Sequence, residues 1–184
     1  METYILILRG INVGGHKAIK MDALRVMLED LDFKNVKTYI QSGNVVFQME
    51  KAECRDLETK IEKKIASTFH FDVPVLVKRQ IEVVNILKQN PFVNERDEAI
   101  EWLHVTFLSN IPEQQFVEKI KDLSTPPDEF ILSKSTIYLF CPKGYGNSKL
   151  SNTFFENKLK VMATTRNWRT VNELVRMAES LASD

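Results

Sequence analysis

The stretch VKTYIQSGNVVFQ, residues 36–48, decides the fold. Two β-branched and aromatic runs flank Ser42-Gly43-Asn44, the turn chemistry of a tight hairpin. Upstream, TYILILR (3–9) is an aliphatic strand ended by glycine. Both of its alternating faces are apolar, which predicts a central strand covered on both sides. Between these two, KMDALRVMLEDL (20–31) sets Met21, Leu24, Leu28 and Leu31 at helical spacing, with Asp22 at the positive end of the helix dipole. Downstream, Cys54, Leu57, Ile61, Ile65 and Thr68 form one face of a longer helix. DVPVLVKR (72–79) is a strand, and Pro74 sets it at an edge or marks its start. Ile81, Val84 and Leu87 predict a short helix that stops before Pro91. The order β-α-β-β-α-β is the ferredoxin-like pattern.

The pattern begins again at residue 102. WLHVTFLS (102–109) reads as a strand, and PEQQFVEKIKDL (112–123) as a helix with Pro112 in its first turn. EFILSKSTIYLF (129–140) is a second hairpin that aligns with the first, and SNTFFENKLKVM (151–162) is a helix. Val171, Leu174, Val175, Ala178 and Leu181 form the apolar face of a final helix, for which Thr164 or Thr165 is the expected N-cap. The expectation is an α+β fold of two ferredoxin-like halves, residues 1–89 and 102–184. The second is degenerate, a C-terminal helix replacing its last strand, and residues 90–101 form an acidic connector.

Lys plus Arg equals Asp plus Glu at 25 each, so global charge argues neither for nor against nucleic acid. Cys54 and Cys141 stand far apart in no metal spacing, which excludes a disulfide framework and gives no metal site. The apolar run Tyr4–Leu8 is too short for a signal or a membrane span, so a cytoplasmic protein without a membrane partner is expected.

Two loops exceed what the architecture needs, and such loops carry binding. RGINVGGHKAIK (9–20) holds Arg9, His16, Lys17 and Lys20 with no acid, and Gly14-Gly15 frees backbone N–H groups to face an anion. PKGYGNSKLS (142–151) repeats that make-up with Lys143 and Lys149 around Tyr145, which can stack on a base or cover the core. Residues 143–169 hold six Lys or Arg against Glu156 alone, and Arg166 and Arg169 open the last predicted helix against its dipole. These features point to a phosphorylated ligand, a nucleotide or a nucleic-acid backbone, with Arg9, Asn12, Gly14, Gly15, Lys17, Tyr145, Lys149, Thr165 and Arg166 as the binding residues. If strands one and three of each half are parallel neighbours, the two loops are expected to meet in one cleft. The alternatives are a small-molecule enzyme and a structural or interaction protein without a small ligand. Catalysis has little support: His16, His70 and His104 lie far apart, and Ser42 has no evident base. No catalytic residue, metal or cofactor is assigned, and no oligomeric state is read.

Three stretches carry a resemblance: LRGINVGG (8–15), TYIQSGNVVF (38–47) and ATTRNW (163–168). With them the chain resembles a bacterial domain-of-unknown-function family of conserved hypothetical proteins. The resemblance implies an α+β fold and a cytoplasmic bacterial protein, and supplies no reaction. Lys17, Lys20, Met21 and Leu24 follow the first stretch as the family pattern has them. Asp32 stands where a helix-ending glycine is expected.

Overall fold

Strand β1 (Glu2–Leu8) organises the first sheet because every residue from Thr3 onward is buried. The structure, a computed structural model, describes residues 1–123 and 125–182. The chain divides into two compact units: residues 1–85 together with the segment from residue 173, and residues 86–172.

In the first unit β1 is followed by α1 (Met21–Glu29), β2 (Lys34–Tyr39), β3 (Asn44–Met49), α2 (Cys54–Phe69), β4 (Val75–Arg79) and α3 (Gln80–Lys88), whose last three residues belong to the second unit. The strand order is β2-β3-β1-β4, with β1 at the centre as its two apolar faces require. Leu24 and Leu28 of α1 and Leu57, Ile61 and Ile65 of α2 pack on Tyr4, Leu6, Leu8, Val45 and Phe47. Each such side chain contributes about 1.5–3 kcal/mol on burial. Pro74 directly precedes β4, an edge strand. The inward face of α3 differs from the expected one: Val83 is buried and Ile81 is 60% exposed.

The second unit repeats the plan with α4 (Pro91–Asn94), β5 (Leu103–Leu108), α5 (Gln114–Val117), β6 (Glu129–Ser133), β7 (Thr136–Phe140), α6 (Asn152–Leu159) and β8 (Ala163–Asn167), in the strand order β6-β7-β5-β8. The two ferredoxin-like halves are borne out. The C-terminal helix is present as α7 (Trp168–Ala182), and it follows a fourth strand rather than standing in for one. ATTRN is that strand: it pairs antiparallel with β5, Thr165 opposite Thr106. The helix therefore begins later than expected. Its cap is neither Thr164 nor Thr165 but Asn167, whose Oδ1 accepts the Thr170 N–H at 2.8 Å. The helix read over 112–123 shrinks to the single turn α5, and Phe116, Val117 and Ile120 pack inward there.

The connector stretch is ordered within the second unit. Asn90 caps α4 by accepting the Phe92 N–H at 3.0 Å, and Phe92 is buried. Arg96 lies over the rings of Phe92 and Phe140 and bonds Glu98 and Glu129.

One topological expectation is overturned. β1 runs antiparallel to β3, and β5 to β7, because each hairpin reverses the chain after a parallel crossover. The loop after the first strand and the loop after the third therefore leave opposite ends of equivalent sheets, so the argument for one cleft shared by residues 9–20 and 142–151 fails.

Candidate functional site

In the first unit the long loop leaves β1 at Arg9, whose N–H donates to Pro74 O at 3.0 Å. The loop is built mostly from its own bonds. Asn12, with φ +55°, donates from Nδ2 to Ile19 O at 2.9 Å and to Gln41 O at 2.7 Å, and its Oδ1 accepts the Ile19 N–H at 2.9 Å. Both donors of that amide are thus spent, one closing the loop on itself and one tying it to the hairpin tip, which makes Asn12 a positioning residue. Val13 and His16 close a tight turn at 3.0 Å. Its tip is Gly14 and Gly15, exposed and at φ +58° and +78°, the pair of positive values that glycine adopts without strain. Lys17 reaches back with Nζ to the carbonyl of Asp72.

Arg9 and Lys17 meet in a cleft of about 460 Å³ lined also by Gly10, Glu62, Asp72, Val73 and Pro74. Glu62 and Asp72 were not among the expected site residues. They come from α2 and the turn before β4, so no short motif contains them with Arg9. A legible signal did exist for Glu62: it lies four residues after Glu58, one helical turn along the face turned to β4. The Glu62 carboxylate accepts the Val75 N–H at 3.1 Å, which fixes one wall of the cleft.

In the second unit Tyr145 rides on a 3₁₀ turn (Tyr145–Asn147) entered through Gly144 at φ +85°. Its ring stacks on His104 with centroids 5.0 Å apart. Its hydroxyl donates to Thr165 Oγ1 at 3.1 Å, and Thr165 donates in turn to Asn152 Oδ1 at 2.7 Å. Thr106 Oγ1 stands 2.7 Å from the same Thr165 oxygen. Burial pulls the His104 pKa below its usual value, so the ring is neutral at pH 7. Tyr145 and Thr165 are therefore joined, as members of a satisfied polar network inside one unit.

Arg166 alternates to the other face of β8 from Thr165. It donates from Nη1 to Thr164 Oγ1 at 3.1 Å and to Thr165 O at 2.9 Å. Burial draws its pKa down to about 10, which leaves the guanidinium charged at neutral pH. Lys149 lines a cleft of about 340 Å³ with Lys143, Asn147, Asp128 and Thr125. Among the described residues no group of three His, Cys, Asp or Glu is placed to hold a metal ion, and no helix is long and apolar enough to cross a membrane.

One protein family matches residues 1–138 of this sequence. The chain belongs to it: DUF1697, a family of proteins of unknown function. The match takes in the loop at Arg9, the first hairpin and all of β5 to β7 apart from the last two residues of β7, and it stops before Tyr145 and β8. Among solved structures, a conserved bacterial protein from Streptococcus pneumoniae is similar at 24% identity and a TM-score of 0.72, covering 96% of this chain and 98% of that one. At that identity the likeness is one of fold. No curated protein matches. DUF1697 thus brings no reaction to either site, and the chemistry has to be argued from the side chains.

Proposed function

We propose that this DUF1697 protein binds a phosphorylated small molecule in the cleft of its first unit. The single observation that supports the reading is that Arg9 and Lys17, two cations of one loop, line one cleft of ligand size. Glu62 and Asp72 line it too, so its charge is balanced. That favours a compact phosphate that also carries hydroxyl or amino groups, such as a nucleotide or a sugar phosphate, over a long nucleic-acid backbone. Arg9 and Lys17 take the phosphate oxygens, and the two acids accept from ligand hydroxyls. Lys17 exchanges its bond to the Asp72 carbonyl for an ion pair with the phosphate when the ligand enters.

Isothermal titration of the full chain with nucleoside mono-, di- and triphosphates and with sugar phosphates tests this. Binding at low salt is expected. Lys17→Ala should weaken it by roughly tenfold, the loss of one charged hydrogen bond. Absence of heat with every one of these compounds, or binding that Lys17→Ala leaves unchanged, overturns the proposal.

A further inference from the structure

We infer that the outer edge of β6 pairs with the same edge of a second copy of this chain. The two sheets have four outer edges, and the other three are guarded. On β4 the N–H groups of Val75, Val77 and Arg79 end on the carboxylates of Glu62, Glu58 and Glu82, at 3.1, 3.0 and 2.8 Å. On β2 the register breaks between the exposed residues Lys34 and Lys37, and Asn35 turns to φ +52°. On β8 the N–H of Ala163 ends on Glu156 at 3.0 Å. Charges, bulges and capped donors are the devices by which sheets avoid edge pairing.

β6 has no bulge and no capped backbone donor, and its one charged residue, Glu129, is held by Arg96 of its own chain. Its five residues pair with β7 in unbroken register. Outside that ladder, no hydrogen bond reaches its backbone among the described residues. Ile131, at its centre, is 38% exposed. The turn Lys134-Ser135 closes the hairpin on Ser133 and Thr136. In a two-residue hairpin that pair bonds directly, so by alternation the backbone groups of Phe130 and Leu132 turn outward.

The sequence around Ile131 suits a two-fold axis. In an antiparallel pairing centred there, Phe130 meets Leu132 of the second copy, and the two Ile131 side chains meet across the axis. The half-buried Asp128 meets the exposed Lys134 of the second copy at both ends, opposite charge against opposite charge. Glu129 is already compensated by Arg96 of its own chain at 2.8 Å. A five-residue edge buries far less than the roughly 1,600 Å² of a standard interface, so the dimer is concentration-dependent rather than obligate.

Sedimentation velocity of the full chain over a concentration series reads this directly. A monomer–dimer equilibrium is expected. Ile131→Lys should shift it fully to monomer with an unchanged melting curve, since that side chain projects from the sheet. Asp128→Lys should weaken the dimer, and Asp128→Lys combined with Lys134→Asp should restore it, which keeps the test alive if the Ile131 variant misfolds. A monomer at every concentration overturns the inference. So does a dimer indifferent to all three variants.

Discussion

The two units use the same bonds at corresponding places and fill the space beneath them differently. Leu8 N–H donates to Gly43 O at 2.8 Å, and Leu108 N–H to Ser135 O at 2.9 Å. Arg9 N–H donates to Pro74 O at 3.0 Å, and Ser109 N–H to Met162 O at 2.9 Å. A glutamate of the second long helix accepts from the first residue of the last strand in each: Glu62 from Val75, Glu156 from Ala163. One turn before these, Glu58 takes the Val77 N–H at 3.0 Å, while Asn152 takes the Thr165 hydroxyl at 2.7 Å. The strand pair Leu6–Val77 of the first unit corresponds to Thr106–Thr165 of the second. A strand pair that is aliphatic in one unit thus joins a polar network in the other, closed by a tyrosine from a long loop. Backbone geometry is what a repeated fold must keep. Side-chain chemistry is where the two units were free to part.

The sharpest difference lies at the hairpin. At Gly43 φ is +72°, and an added Cβ would stand 2.7 Å from Leu8 Cβ. Neither the conformation nor the contact tolerates a side chain, so Gly43→Ala should cost about 3 kcal/mol in urea unfolding. Ser135 presents its carbonyl to Leu108 in the same way, yet it already carries a side chain. Ser135→Ala should change stability by less than about 0.5 kcal/mol. Equal costs at the two positions would break the correspondence between the hairpins.

That glycine also marks what the sequence makes legible. Both hairpins, the doubly buried first strand and the long helix of the first unit are readable because turn chemistry and hydrophobic period agree over many residues. ATTRN is not. Five residues with two threonines and an arginine hold too little alternation to declare a strand, and no loop separates them from the helix that follows. The cleft is half legible for a similar reason. Arg9 and Lys17 share one loop and can be read together, whereas Glu62 and Asp72 reach the cleft only through packing. Asn12 was legible as important and not as structural, since its partners Ile19 and Gln41 belong to separate segments.

The polar network of the second unit gives the next effect. Thr165→Val makes the site resemble Val77 of the first unit, but removes one hydrogen bond each from the Tyr145 hydroxyl, Asn152 and Thr106. A loss of about 1–2 kcal/mol is expected. Adding Thr106→Val removes the hydroxyl that faced Thr165, so the double variant should cost less than the sum of the single ones. Strict additivity in a double-mutant cycle would show that the two hydroxyls do not act as a unit.

His104 corresponds to Tyr4, and only the histidine brings a pH dependence near neutrality. Burial holds its folded pKa below 6.5, so the unfolded chain takes up this proton first as the pH falls. Its contribution to stability is intact above pH 6.5 and is lost as the pH drops through the window between 6.5 and the lower folded value. Urea midpoints of the protein and of His104→Phe, compared from pH 7.5 to 5, should diverge downward for the histidine. Parallel curves would show that the ring stacked on Tyr145 is not desolvated.

The smallest effect concerns the end of α1. Asp32 adopts φ +65°, and its N–H donates to Glu29 O at 3.0 Å, in the left-handed turn that follows a helix. The resemblance anticipates glycine at this position, and the backbone has the shape that glycine would take. Aspartate bears the left-handed conformation better than most residues, yet at a cost, while glycine gives back part of that gain through the entropy of the unfolded chain. The balance favours glycine slightly: Asp32→Gly should raise stability by about 0.5 kcal/mol, seen as a small upward shift of the urea midpoint with no change in slope. A loss of stability would mean that the Asp32 carboxylate contributes more to the end of α1 than its backbone strain takes away.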